Sequence, residues 1–298
     1  MQPLTIGNII NVSINLYRQH FKLYLRLALF AFLWLLVPLY GWAKFFSNSA
    51  LISRLTFNEL IGNPETPKSA RRYLKPRTWG FLLTNILILS ALLFTLVISF
   101  ILASIVIWII FITPALRSSI EILLGETFVT NNVFLALLFI FVFIFFLLSL
   151  YFGATWWLYC RLFIATLPLA IEAKINPVTT IFRSFRLTKG YFFKFQGILI
   201  IASLVITPLE LSLYFISLIV IGILSVFASN FNNYQVYYSM ALEIFYLVIL
   251  AINMIIFLPF IQSIKAVIYY NLLLRREGFG LDLARNNLFP ETELSQGN

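Results

Sequence analysis

Long apolar runs alternate with short polar, mostly basic, interruptions along the chain. The runs are Leu23–Trp42, Trp79–Ile112, Val133–Ile171, Phe195–Phe227 and Val236–Leu274. Each reaches the length of about 20 residues that a helix needs to cross a bilayer. Trp79–Ile112 is longer still. At 1.5 Å per residue it makes about 51 Å of helix against a hydrocarbon core of about 30 Å, so it must tilt, project or break. Pro38 lies near the end of the first run, Pro168 near the end of the third, and Pro208 and Pro259 lie inside the last two. Residues 43–61 (AKFFSNSALISRLTFNELI) have modest apolar content and Arg54 in their middle. Alone, they read as an interfacial segment.

The interruptions have their own period. In 176–189, Asn176 is a good N-cap and Pro177 suits the first helical position. Val178, Ile181, Phe182 and Phe185 recur at i, i+3, i+4, i+7, with Thr179, Arg183 and Arg186 on the opposite face. Lys189 favours the negative helix end, and Gly190 can take the left-handed closing position. Thr66-Pro67 repeats the cap-then-proline pattern and opens a second basic helix that ends near Pro76. Residues 5–20 form a third, capped by Thr5, with Asn8, Asn11, Asn15 and Arg18 opposite Ile6, Ile9, Ile10, Ile14 and Tyr17. Basic amphipathic helices between apolar runs are expected to lie in the membrane interface as elbows.

A repeat follows from these elbows. Shifting the first by 171 residues pairs Ile10 with Ile181, Ile14 with Phe185, Leu16 with Leu187, Arg18 with Lys189 and Phe21 with Phe192. The expected organisation is one transmembrane domain over 1–281, built from elbow-plus-hairpin units at 5–62, 66–171 and 176–275. A polar cytoplasmic tail follows at 282–298.

Charge changes the reading of 43–61. Arg18, Lys22 and Arg26 precede the first run, and Lys68, Arg71, Arg72, Lys75 and Arg77 follow the ambiguous segment. If both clusters are cytoplasmic, an even number of crossings separates them, and 43–61 becomes a weak second span sheltered in the bundle. Lys44 and Arg117 then lie outside and Arg54 within the membrane, leaving 18 of the 21 cations at the inner side. Both termini are expected to be cytoplasmic. The stretch Arg117–Asn132 and residues 229–235 are expected outside.

Composition agrees. The chain is 61% hydrophobic and 11% charged, with a mean hydropathy of +0.95. Too few charges remain to cover a soluble domain of 298 residues. The expected fold is an all-α polytopic membrane protein with about six transmembrane helices and three interfacial amphipathic helices. Alternating segments of a β-barrel are missing. The net charge of +10 flanks apolar runs, so nucleic acid is not an expected partner. Cys160 and His20 are the single cysteine and histidine, which excludes an intramolecular disulfide and Cys- or His-rich metal sites. No cofactor, metal or catalytic residue is expected. Serines and threonines are many, but no base, oxyanion motif or glycine-rich phosphate loop accompanies them. The N-terminus lacks the order of a cleaved signal peptide, so the first run is expected to act as an uncleaved insertion signal.

Ionisable residues in or near the runs are the candidate sites, because each costs several kcal/mol unless paired or wetted. Glu210 and Glu243 are placed to line an outer cavity for a cation or proton, or else to be satisfied by Thr207 or Asn253. At the inner face, Arg161, Glu172, Arg183, Arg186, Lys189, Arg275 and Glu277 form a candidate lock or lipid-headgroup site. Within it, Glu172 is expected to pair with Arg183 or Arg186. The expected partners are anionic lipid headgroups at the cytoplasmic face of the inner membrane, with a protein partner as a further option.

The central residues Arg161-Leu162, Pro168, Glu172, Pro177, Arg183-Ser184, Arg186-Leu187-Thr188-Lys189-Gly190, Phe192 and Lys194 form a recognisable pattern. With the opening LTIGNIINVSINLYRQHF and the closing AVIYYNLLLRREGFGLDL, it resembles the membrane domain attached to some glycerophosphoryl diester phosphodiesterases and related prokaryotic multi-pass proteins. Asn271 and Gly280 depart from it, standing where acids are expected. The phosphodiesterase catalytic domain has no counterpart here. The resemblance implies an architecture and a lipid-related context. Three functions follow as expectations: a non-enzymatic scaffold or accessory component, a small-solute or ion transporter using Glu210 and Glu243, or a lipid-handling protein.

Overall fold

The computed structural model describes residues 4–112, 133–173, 175–228 and 235–277, and among them every regular element is a helix. The expected outer stretches and the tail fall outside these residues. In chain order the helices are α1 (Ile6–Gln19), α2 (Phe21–Trp34), α3 (Tyr40–Leu60), α4 (Pro67–Leu74), α5 (Thr78–Ile112), α6 (Val133–Leu162), α7 (Thr166–Ile171), α8 (Pro177–Thr188), α9 (Phe192–Ala228) and α10 (Gln235–Arg276). Lys75–Arg77 form a single 3-10 turn between α4 and α5. Four stretches are long and apolar enough to cross a membrane: Pro67–Ile105, Phe145–Ile171, Phe192–Ile223 and Met240–Arg276.

The described residues divide into two compact units, Met1–Asn85 with Phe163–Asn298, and Ile86–Leu162. The second consists of most of α5 and α6. Inside it, Arg161 sits over the Trp157 ring at 5.2 Å.

In the first unit the expected run Leu23–Trp42 is not one helix. α2 stops at Trp34 after 14 residues, about 21 Å. Residues 35–39 then turn, with Pro38 followed by Leu39 at φ +57°. Pro38 has no N–H to continue the ladder, which explains the break. Gly41 allows the return: a Cβ there would lie 1.9 Å from the Trp34 carbonyl oxygen.

α3 contains the segment whose hydropathy was ambiguous, and most of it from Ala43 to Phe57 is buried. It packs chiefly on α2 and α10. Its low hydropathy comes mainly from Lys44, Asn48, Arg54, Asn58 and Glu59, and Ser49, Ser53 and Thr56 bond inside the unit. Ser53 donates to Gln262 Oε1 at 2.7 Å; Thr56 donates to the Ile52 carbonyl at 2.9 Å, and its hydroxyl lies 3.2 Å from that of Tyr24. Small polar residues let helices approach closely and supply interhelical bonds.

Two apolar clusters flank α3. One gathers Ile9, Phe195, Ile268 and Tyr269 from α1, α9 and α10. The other gathers Tyr24, Leu51, Phe81 and Leu169 from α2, α3, α5 and α7. Tyr17 joins α1 to α10 by donating to the Ile256 carbonyl at 2.9 Å, beside the carbonyl that Pro259 leaves without its helical N–H. Burial raises the Tyr17 phenol to about 12.

The three elbow helices share a burial register. Each is capped, by Thr5, Thr66 or Asn176, and each buries the residues four and eight places later. These are Ile9 and Ser13 in α1, Ala70 and Leu74 in α4, and Thr180 and Ser184 in α8. Thr5 Oγ accepts from the Asn8 N–H at 3.4 Å, Thr66 Oγ from Ser69 at 3.3 Å, and Thr179 Oγ from the Asn176 N–H at 2.9 Å. Gly190 closes α8 at φ +78°. The apolar stripe of α8 is only partly turned to the protein: Ile181 and Phe185 are half-buried, and Val178 and Phe182 are exposed. Thr180, Ser184, Leu187 and Thr188 point inward, while Phe182 stays 68% exposed.

Candidate functional site

The polar centre of the first unit is the short helix α7 and the two residues after it. A helix end leaves carbonyls without partners, and cations favour that end. Here arginines from two other elements supply the donors. Arg77 donates from Nη1 to the carbonyls of Leu169 at 2.9 Å and Glu172 at 2.6 Å, and from Nη2 to that of Ala173. Arg54 donates from Nη1 to the Ala170 carbonyl at 2.7 Å, and the Tyr73 hydroxyl to that of Ile171 at 3.2 Å. Both guanidinium groups stack on the Tyr73 ring, at 3.7 Å for Arg54 and 4.5 Å for Arg77. Arg54 also meets Glu65 at 2.7 Å, and Asn58 and Ser69 donate to the same carboxylate. Arg54, expected within the membrane in a sheltered segment, is half-buried and paired next to the cap of α4.

The side chain of Glu172 opens the second half of the site. Its Oε1 accepts from Arg183 Nε at 2.9 Å and from the Tyr269 hydroxyl at 2.6 Å. Arg183 also reaches Glu277 by two bonds, Nη1 to Oε1 at 2.5 Å and Nη2 to Oε2 at 2.8 Å. One guanidinium therefore ties α8 to the end of α7 and to the end of α10. Burial works against the Arg183 charge. The hydrogen bonds to Glu277 and Glu172, with the charge of both carboxylates, outweigh it and hold the guanidinium above its ordinary value. A bidentate, partly buried network of this kind is worth more than a lone surface pair.

The expected inner-face residues are thus partly brought together. Glu172, Arg183 and Arg186 line one depression of about 530 Å³ with Thr179 and Phe182, and Glu277 joins through Arg183. Lys189 enters only through its carbonyl, which accepts from Arg276. Arg275 turns elsewhere: its Nη2 donates to the Leu4 carbonyl at 2.9 Å, while the Leu4 N–H donates to Asn271 Oδ1 at 2.8 Å. Both backbone groups of Leu4 are so clamped by α10. Arg161 falls in the other unit.

Glu210 and Glu243 are not brought into one cavity. Glu210 lines a depression of about 510 Å³ with Thr207, Tyr214 and Asn253. Glu243 lines a different one with Ile221, Tyr246 and Leu247. Thr207 does not satisfy Glu210 but donates back to the Ser203 carbonyl of its own helix.

Sequence reasoning passed over Arg54, Tyr73 and Arg77 as site residues, and also Lys265. Lys265 lies inside α10, with its ammonium 5.0 Å from the Phe163 ring centroid and no ion pair among the described residues. The signal was available: it is a single cation within an apolar run. No tight cluster of three His, Cys, Asp or Glu side chains able to hold a metal occurs among the described residues.

No known protein family, curated protein or solved structure matches this chain.

Proposed function

We propose that the chain is a non-enzymatic integral membrane protein, a scaffold or accessory component that acts through lipid and protein contacts at the inner face of the plasma membrane. In this reading α1, α4 and α8 lie in the cytoplasmic interface. Both termini are cytoplasmic, and α2 with α3 supplies two short crossings beside the four long apolar stretches, making six.

One observation carries the reading: the outward edge of α8. Its threonines bond back to carbonyls of their own helix, and Val178 and Phe182 are exposed beside the exposed cation Arg186. Exposed apolar side chains next to a cation fit the boundary between headgroups and acyl chains. The exposed apolar surface of α9 and α10, such as Leu204, Ile219 and Leu247, supports the same environment. The arginine network around α7 ties the elbows α4 and α8 to the bundle, which suits a fixed platform rather than a moving carrier.

The experiment is a photo-crosslinking amino acid at position 182 in intact membranes. The expected products are adducts with lipid or with a discrete protein. Absence of adducts, together with an ion or solute flux abolished by Glu210→Gln, would instead favour transport. That second reading draws on the Glu210 depression. The lipid-handling reading, which the family resemblance suggests, predicts lipid adducts alone.

A further inference from the structure

A separate cleft of about 480 Å³ opens between the start of α1, the start of α9 and the end of α10. Its walls are apolar, from Ile6, Ile9, Phe195, Ile198, Ile268 and Leu272. Its volume lies in the ordinary ligand range of about 300–1,000 Å³. The charged groups lining it are Lys194 and Arg275, both cations.

Among the described residues no carboxylate neutralises this charge. Lys194 Nζ, Arg275 Cζ and Arg276 Cζ gather round the Tyr191 ring at 5.4, 6.0 and 5.3 Å from its centroid. None of the three has a carboxylate partner among the described residues, and the adjacent Glu277 is taken by Arg183. Arg275 Nε is buried without an acceptor, although Nη2 of the same side chain is used on Leu4. A buried charged donor left without an acceptor is costly, and three like charges around one ring repel one another. An anion at the mouth of the cleft offsets the repulsion among the three cations.

The position selects among anions. Beside the start of α1, the cleft is lined by the first turns of the apolar stretch Phe192–Ile223 and the last turns of Met240–Arg276. A phosphate on a lipid sits at such a boundary, with an apolar chain beside it. A free phosphate would use the rim and leave the apolar walls empty.

We propose that this cleft binds one anionic phospholipid, with its phosphate held by Lys194 and Arg275 and an acyl chain laid along Ile6, Phe195 and Ile198. The inference rests on the membrane reading above and names the lipid class and the place. It also gives Gly7 a role. Gly7 lines the cleft, and a Cβ built there meets nothing within 4 Å, so the space beside it is open.

The test is native mass spectrometry of the full chain, delipidated in neutral detergent and titrated with phosphatidylglycerol, phosphatidylcholine or inorganic phosphate. One phosphatidylglycerol should be retained in preference to phosphatidylcholine. Lys194→Gln should weaken it about fivefold, the effect of one cation near a headgroup. Gly7→Trp should block it with the melting temperature unchanged. Equal retention of both lipids, retention unaffected by both variants, or inorganic phosphate competing as well as the lipid would overturn the proposal. If crosslinks at 182 form while this lipid is not retained, the cleft assignment alone fails. If position 182 gives no adduct, the interfacial placement of α8 beneath it fails.

Discussion

Arg183 and Glu277 lie 94 residues apart in the chain and meet through two hydrogen bonds, with their closest atoms 2.5 Å apart. The Arg183 Nε is spent on Glu172, so a single side chain closes a bridge between α7, α8 and α10. Lysine can offer neither the planar fork nor three separated donors. Arg183→Lys should therefore cost stability despite conserving charge, by about 1–3 kcal/mol. Thermal unfolding in detergent reads this. A double-mutant cycle with Glu277→Gln should show coupling between the two, whereas simple additivity would mean that the bridge contributes nothing.

Gly41 has no room for a methyl group. A Cβ would sit 1.9 Å from the Trp34 carbonyl oxygen and 2.8 Å from Val37 Cβ. Gly41→Ala must move the turn between α2 and α3, and should lower stability by about 2 kcal/mol or more. An unchanged melting temperature would show that α2 and α3 do not return through this contact.

Lys265 is a cation with an aromatic ring beside it and no carboxylate among the described residues. Replacing an unpaired, partly buried charge with an apolar side chain of similar length removes a desolvation cost. Lys265→Met should raise stability by about 1 kcal/mol. A marked loss would reveal an anionic partner for the ammonium.

Tyr17 gives a pH dependence. Its folded pKa, raised from 10.0 to about 12, lies above the unfolded value. A raised folded value means that the stabilisation is complete below pH 10 and is lost as pH climbs through about 12. The wild type should lose stability across that window relative to Tyr17→Phe. Below it, Tyr17→Phe should be the weaker by about 1 kcal/mol, the bond to the Ile256 carbonyl. Chemical denaturation at pH 8 and pH 11 compares the two.

Local features were the most legible ones in the sequence. The caps Thr5, Thr66 and Asn176 act on residues three places away, so spacing alone exposes them. The pair Glu172–Arg183 spans a single turn and elbow, and was also within reach. The bonds of Arg54 and Arg77 to α7 were not, because their acceptors there are backbone carbonyls near 170, about a hundred residues away and without any side-chain signature. The outward stripe of α8 was readable as a stripe. Its inward face was not, because Thr180 and Ser184 look like ordinary polar positions until their burial is seen. Residues 43–61 misled because hydropathy counts Arg54 and Asn58 as strongly polar, while both are spent on the Glu65 carboxylate. Glu210 and Glu243 lie on adjacent helices, but adjacency in topology did not make them face one depression.

The central claim is that α1, α4 and α8 lie at one face of the membrane, the cytoplasmic one. Asn15, Arg72 and Arg186 are exposed, one on each helix, and Cys160 is the single native cysteine and is buried. Single cysteines at these three positions, in a Cys160→Ser background, can be probed with a membrane-impermeant maleimide in right-side-out and inverted vesicles. All three should react in inverted vesicles and none in right-side-out ones. Reaction of any one of them from the opposite side would contradict the common inner face.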